Sequence, residues 1–377
     1  MLALEIALWF SLGLWAFSAL WAALNWLLVP PLSEDGAPNL PSLSVVVPAR
    51  DEERWIGPAV ESHCSQDYPG LQVIVVDDGS ADRTPQILTE LQGRYPNLEV
   101  LRGEPPREGW LGKPNALRQG LQKATGEMVL LADADVRYAQ GTHRRAAAEM
   151  ARGDLDMLVL LPHHEGTWGT ELMVMHLDAI FLFGVPSFLY NATWFRAFAL
   201  GAGAGNVIRR KALDDAGGIE AVKDEVIDDI TLGRRVKALR GQLRVVKAFD
   251  DIRVQMYGSL REALEGFTKN LYAFIGFSPV GLGMLVGGVF YHGLPLGALL
   301  LAPWVPRALL LPAVSCIAIE IGLEVATCLW SRHRLWLAFL FPVRILLWTA
   351  LMFKSAWRYH RRGLVWRGRV YGKRPSW

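Results

Sequence analysis

Apolar residues gather at the two ends of the chain, and between them short apolar runs alternate with polar, turn-forming stretches. Residues 3–30 carry one charge, Glu5, over a length greater than the roughly 20 residues needed to cross hydrocarbon. With no basic leader before it and no small-residue cleavage site after it, this stretch reads as an uncleaved anchor. Pro30, Pro31 and Gly36 end it. Strands are then predicted at 43–48, 72–77, 98–102, 127–132 and 155–161, with helices near 55–65, 84–93, 114–124 and 140–152. That βαβαβαβ order implies an α/β domain with a mostly parallel sheet covered on both faces. A helix from Asp228 and a strand near 243–248 complete the polar region.

Residues 168–199 are apolar and aromatic, with Glu171, Asp178 and Arg196 as their only Asp, Glu, Lys or Arg. A spanning helix would set Asp178 mid-bilayer at a cost of several kcal/mol, so interfacial helices are expected instead. Apolar stretches at 278–303, 307–330 and 335–353 predict a C-terminal membrane region. Pro342 and Arg344 divide the last into pieces too short to span, so it is expected to fold back. Glu320, Glu324 and Arg344 within this region call for an internal ion pair, or else for recognition of a polar lipid head.

Composition sharpens the compartment. Three cysteines do not make a disulfide framework, and Cys316 and Cys328, on one predicted helix, lie about 18 Å apart. A reducing, cytoplasmic setting for 35–275 fits. The net charge of +2 hides a tail, from Lys354 onward, with eight Lys or Arg and no Asp or Glu. Its interleaved aromatics suit anionic phospholipid on the cytoplasmic face of a membrane, and a position directly after a membrane segment argues against nucleic acid.

Two acidic clusters sit where predicted strands run out, Asp77-Asp78 and Asp133-Ala134-Asp135. In open α/β sheets ligands bind beyond the carboxyl ends of strands, where such carboxylates point into a crevice. Asp77 or Asp78 can accept hydrogen bonds from a base or ribose, and Asp133 with Asp135 can hold a divalent cation against two phosphates. Turn formation is the plainer reading of any single Asp. Lys113, at a loop-to-helix boundary, can meet diphosphate charge together with helix N–H groups. Asp228 and Asp229 open a helix and could simply cap it. His163 and His164 leave the fifth strand, where an ordinary polar pair and a metal ligand are the alternatives.

Val45–Glu53, Asp77–Ser80, Gly112–Leu117, Asp133–Asp135 and Asp228–Leu232 together resemble, over about 40–250, the ordered motifs of an inverting family 2 glycosyltransferase. More narrowly, Gly109–Lys113, Arg253–Tyr257, Glu265–Lys269 and Val365–Tyr371 are similar to membrane-bound bacterial carotenoid (4,4'-diaponeurosporenoate) and hopanoid glycosyltransferases. The resemblance implies a GT-A-like fold, with Pro48, Ala49, Glu52, Asp77, Lys113 and Asp133 on the nucleotide sugar. It implies Asp135 with Asp133 on Mg²⁺ or Mn²⁺, and Asp229 as catalytic base, with Asp228 replacing a Glu. Lys269 stands where the family has Arg as a phosphate contact, and His164 where the narrower group also has a His after Pro, which makes His164, Asp228 and Lys269 candidate acceptor or phosphate contacts. The Trp with which processive polysaccharide synthases hold a glycan is absent beside Lys269.

The expected organisation is an anchor (1–30), a linker (31–41), a nucleotide-sugar-binding half (42–167), an acceptor half with interfacial helices (168–275), a membrane region (276–353) and a basic cytoplasmic tail (354–377). The expected activity moves a sugar from a nucleotide donor, of the UDP-sugar type, to a membrane lipid at the bacterial cytoplasmic membrane, with the catalytic domain in the cytoplasm. A processive synthase, betrayed by a ladder of product lengths, and a catalytically silent binding or scaffold protein, betrayed by no UDP release, are the rival readings.

Overall fold

The computed structural model describes residues 2–33, 40–274, 279–362, 364–366 and 369–371; the side chains of 269–270, 273–274, 279–282, 284–286 and all beyond 361 lie outside the description. In chain order, α1 (Leu2–Leu28) precedes β1 (Leu43–Ala49), α2 (Ile56–Cys64), β2 (Gln72–Asp77), α3 (Thr84–Arg94), β3 (Leu98–Arg102), α4 (Gly112–Lys123), β4 (Met128–Leu131) and β5 (Val136–Tyr138). Next come α5 (Thr142–Arg152), β6 (Met157–Leu161), β7 (His163–His164), α6 (Trp168–Ala179) with a π-helical turn (Ile180–Gly184), α7 (Leu189–Ala192), β8 (Asn206–Arg209) and α8 (Arg210–Asp215). After these lie α9 (Asp228–Ala238), β9 (Leu243–Lys247), β10 (Ile252–Val254), α10 (Leu260–Phe274), α11 (Pro279–Leu300), α12 (Arg307–Ser331), α13 (Phe341–Arg362), β11 (Leu364–Trp366) and β12 (Arg369–Tyr371). The chain divides into two units, 28–165 with 187–255, and 1–27 with 166–186 and 256–377, so the apolar stretch 168–199 is shared between them.

The first unit is the α/β domain. Its seven-stranded sheet runs β3-β2-β1-β4-β8-β6-β9. Val45, Val46 and Val47 are wholly buried, as a central strand covered on both faces requires, and β1 lies parallel to both β2 and β4. The register sets Ala49 beside Asp77, so the motif-bearing ends of β1, β2 and β4 share one edge. The expected parallel order is interrupted once. β8 inserts antiparallel between β4 and β6, a pairing that four residues with no hairpin signal do not announce. A second, three-stranded ribbon forms around β10, where Val254 faces Val136 of β5 on one side and His164 of β7 on the other. The linker adds a short edge, Leu32 N–H donating to the Lys247 carbonyl at 2.8 Å.

The second unit is helical. Three segments, Leu2–Leu28, Arg307–Ser331 and Leu335–Arg361, are long and apolar enough to cross a membrane. The last corrects the expected break at Pro342 and Arg344. Residues 335–340 form a 3₁₀ turn, and Pro342 is the second residue of α13, where a missing N–H costs nothing because first-turn donors have no intrahelical partner. Arg344 is 1 % exposed and ion-paired with Glu324, the internal pair that the sequence called for. Glu320 instead lies 2.5 Å from His292 Nδ1. Asp178 meets His333 Nε2 at 2.7 Å, and Asn25 Nδ2 donates to the Leu182 and Val185 carbonyls at 2.9 and 2.8 Å. Each of these charged or amide side chains thus has a partner within the unit, as an apolar surrounding favours.

Candidate active site

The site forms at the edge where β1, β2 and β4 end. Pro48, Lys113, Asp133, Gly203, Asp228 and Asp229 line one cavity there. Strand β1 delivers Pro48, the turn after β4 delivers Asp133 and Asp135, and the first turns of α4 and α9 deliver Lys113 and the Asp228-Asp229 pair. Lys113 Nζ lies 2.8 Å from Asp133 Oδ1 and 3.6 Å from Asp228 Oδ1. Asp133 and Asp228, 95 positions apart, therefore meet on one ammonium, which the helix-capping reading of Asp228 does not anticipate.

Charge is unbalanced in this cavity. Burial alone would lower the Lys113 ammonium, yet the carboxylates of Asp133, Asp228 and Asp229 hold it well above its usual value. Burial, then the carboxylates of Asp133 and Glu52, push Asp135 up to about 7. Burial, then Asp228, likewise push Asp229 to about 7. Asp228 is raised as well, by burial first. One lysine does not neutralise this many acids, and the surplus suits a cation. Among the described residues no three acidic, histidine or cysteine side chains converge as a closed metal cage. Mg²⁺-type ions, however, commonly take one or two carboxylates and complete their shell with water and substrate phosphates, so the hard oxygens of Asp133 and Asp135 fit an ion that arrives with a diphosphate.

The ends of β1 and β2 are tied more closely. Asp77 Oδ1 accepts the Ser80 N–H at 3.0 Å, and Asp78, also buried, lies 3.7 Å from Arg50 Nη1. Glu52 N–H donates to Thr84 Oγ1 at 2.8 Å, fixing the loop that leaves β1. His164 sits across β10 from Val136, the residue after Asp135, but does not line the cavity. The Lys269 side chain lies outside the described residues.

Sequence reading passed over the strap Gly201-Ala202-Gly203-Ala204-Gly205. A Cβ on Gly201 would stand 2.0 Å from the Asp229 carbonyl oxygen, one on Gly203 2.2 Å from Asp133 Oδ2, and one on Gly205 2.9 Å from the Tyr138 hydroxyl. Asp133 N–H also donates to the Gly203 carbonyl at 2.9 Å, and the Tyr138 hydroxyl donates to the Ala204 carbonyl. Alternating glycines are legible in a sequence; what they press against is not.

Residues 44–217 match the profile of Glycosyl transferase family 2. That segment is similar to the family 2 glycosyltransferases, and the α/β unit that carries most of it has a GT-A-like fold. It is 31% identical over 212 residues to a beta-monoglucosyldiacylglycerol synthase of Trichormus variabilis, covering 52% of this chain and 42% of that protein. It is 26% identical over 244 residues to the 4,4'-diaponeurosporenoate glycosyltransferase of Staphylococcus aureus, covering 62% of this chain and 61% of that one. The chain thus spans between about two fifths and three fifths of these relatives' length. Among solved structures it is similar to a mannosyltransferase from Pyrobaculum calidifontis in complex with GDP-Man and Mn²⁺, with a TM-score of 0.58 and 20% identity over 95% of this chain and 98% of that one. At that identity the likeness concerns the fold.

Proposed function

We propose that this chain is a membrane-attached, inverting glycosyltransferase that moves a sugar from a nucleotide donor, a UDP-sugar, to a hydroxyl or carboxyl group of a membrane lipid. The observation that carries this reading is the meeting of Lys113, Asp133, Asp228 and Asp229 in one cavity at the carboxyl edge of the sheet. The acceptor class rests on the names of two relatives, one a glucosyldiacylglycerol synthase and the other a carotenoid-acid glycosyltransferase, together with helices long and apolar enough to span a membrane.

In this reading Pro48, Ala49, Glu52 and Asp77 hold the nucleoside. Lys113 and the first-turn N–H groups of α4 face the diphosphate. Asp133 and Asp135 would hold Mg²⁺ or Mn²⁺, which would supply Lewis-acid neutralisation of the leaving diphosphate. Asp229 takes the proton from an acceptor hydroxyl on the side of the sugar opposite the leaving group, and a base poised near 7 suits that task at neutral pH. A single displacement converts an α-linked donor into a β-linked product. Asp228 keeps Lys113 in place between the two acidic pairs.

We further read 1–30 as anchor, 31–41 as linker, 42–167 as donor half, 168–275 as acceptor half, 276–353 as membrane region, and 354–377 as a tail on anionic lipid at the cytoplasmic face. Impermeant thiol reagent should fail to reach Ser376→Cys in intact cells, and ready labelling would reverse the orientation. Incubation of the purified protein with a panel of labelled UDP-sugars and total membrane lipid, followed by product masses, tests the activity. A single-sugar lipid product supports it, a ladder of lengths makes the protein a polymerase, and no product or UDP release refutes it.

A further inference from the structure

The α/β unit displays an aromatic tip at Trp194-Phe195. The two rings stack at 4.6 Å between centroids and stand 55% and 53% exposed, with Leu239, 57% exposed, adding a third large apolar side chain to the exposed surface. Arg240 sits 5.0 Å over the Trp194 ring, and Arg196 and Arg234 are exposed too. No Asp or Glu occurs between Ser187 and Leu213, nor between Ile230 and Phe249. Exposed aromatics are ordinary singly; a stacked pair beneath a guanidinium, with further arginines exposed on the same segments, is a patch with a preferred partner.

The segment carrying the tip is firmly held. Lys237, 1 % exposed, donates from Nζ to the carbonyls of Tyr190, Thr193 and Phe198 at 2.7, 2.8 and 2.5 Å. Asn191 pairs with Val245 of β9 through both side-chain groups, at 2.9 and 2.7 Å. A buried ammonium spent on three backbone carbonyls fixes this loop with its rings outward. Lys237 lies on α9, so the helix whose first turn carries Asp228 and Asp229 also holds the segment that carries the tip.

We propose that Trp194-Phe195 is a bilayer-docking finger whose rings enter the headgroup–acyl boundary of an anionic membrane while Arg196, Arg234 and Arg240 meet lipid phosphates. Aromatic rings favour that boundary because they are apolar bodies with a polar or quadrupolar edge, and guanidinium groups pair with phosphate. Helices long and apolar enough to cross a membrane would keep the chain at a bilayer, and the exposed arginines of the tip match the charge of anionic lipid.

The test uses the full chain in phosphatidylcholine vesicles, with and without phosphatidylglycerol. The native cysteines are buried, so Phe195→Cys takes an environment-sensitive fluorophore at the tip, and Asp67→Cys, whose native side chain is 91% exposed, serves as an aqueous reference. At 195 the emission should be blue-shifted and quenched by lipids nitroxide-labelled near the headgroup, more than by aqueous iodide; at 67 the order should reverse. Arg196→Gln and Arg240→Gln should each weaken insertion into phosphatidylglycerol vesicles about five-fold, equivalent to about 1 kcal/mol per cation. Aqueous emission at 195, quenched by iodide as readily as at 67, overturns the proposal. A blue-shifted probe that nitroxide lipids leave unquenched assigns the tip to a protein surface and overturns it equally. No turnover is needed, so the outcome is independent of the glycosyl-transfer reading.

Discussion

Gly203→Ala places one carbon where the site has no room. The added Cβ would lie 2.2 Å from Asp133 Oδ2 and 3.1 Å from its Cγ, whereas carbon and oxygen ordinarily stay about 3.3 Å apart. Something must shift by about 1 Å. The backbone cannot yield cheaply, because the Gly203 carbonyl accepts the Asp133 N–H and the next residue's carbonyl accepts the Tyr138 hydroxyl. The carboxylate is the softer partner, and moving it disturbs the 2.8 Å contact with Lys113 and the proposed metal ligand together. A misplacement of about 1 Å at a reacting centre costs roughly 10²-fold in rate, about 2.7 kcal/mol of barrier. Transfer from UDP-sugar to lipid should therefore fall about 10²-fold in kcat while the thermal midpoint changes little. Gly93→Ala, whose new carbon meets nothing within 4 Å, is the control and should leave kcat at the parent value. A folded Gly203→Ala protein within two-fold of the parent kcat would mean that the strap does not position Asp133.

Chelation should abolish transfer, with Mn²⁺ or Mg²⁺ restoring it and Asp135→Asn resisting rescue; full activity in excess chelator would remove the metal from Asp133 and Asp135. Asp229→Asn should keep UDP-sugar affinity and lose about 10²–10⁴ in kcat toward a hydroxyl acceptor, and equal loss of UDP binding in Asp229→Asn and Asp135→Asn would make Asp229 structural. In the parent, kcat should rise with pH to a plateau above about 7, because only the ionised Asp229 accepts a proton; a carboxylate acceptor, already ionised, should not follow this curve. His63 Nδ1 lies 3.0 Å from His143 Nε2, both rings are buried, and burial lowers His63 to about 3 and His143 well below its usual value. The unfolded chain then binds more protons, so this contribution is whole above about pH 6.5 and is lost as pH falls toward 3, at up to about 1.4 kcal/mol per pH unit per ring. Asp135 and Asp229, raised to about 7, act with the opposite sign, so the quantity to read is the thermal midpoint of parent minus His63→Leu between pH 7.5 and 5.5. A difference that does not shrink on acidification would contradict the buried neutral pair.

What the sequence determined by itself is what local pattern controls. Runs such as Val45–Val47 and Val73–Val76 are short, continuous and β-branched and stop at turn-forming residues, so the strand ends and the carboxylates standing there could be placed without coordinates. Polarity likewise marked Glu320, Glu324 and Arg344 as needing partners, because a charge in hydrocarbon is costly wherever it lies. Tertiary structure alone decided which partners they took: His292 beside Glu320, Arg344 beside Glu324, and His143 beside His63 across 80 residues. It also decided that β8 enters the sheet antiparallel, that 335–361 runs on through Pro342, that Lys113 joins Asp133 to Asp228, and that glycines 201, 203 and 205 lie against the site. The physical reason is range. Backbone period and turn chemistry act over a few residues, whereas close approach and charge pairing act between segments that only packing brings together.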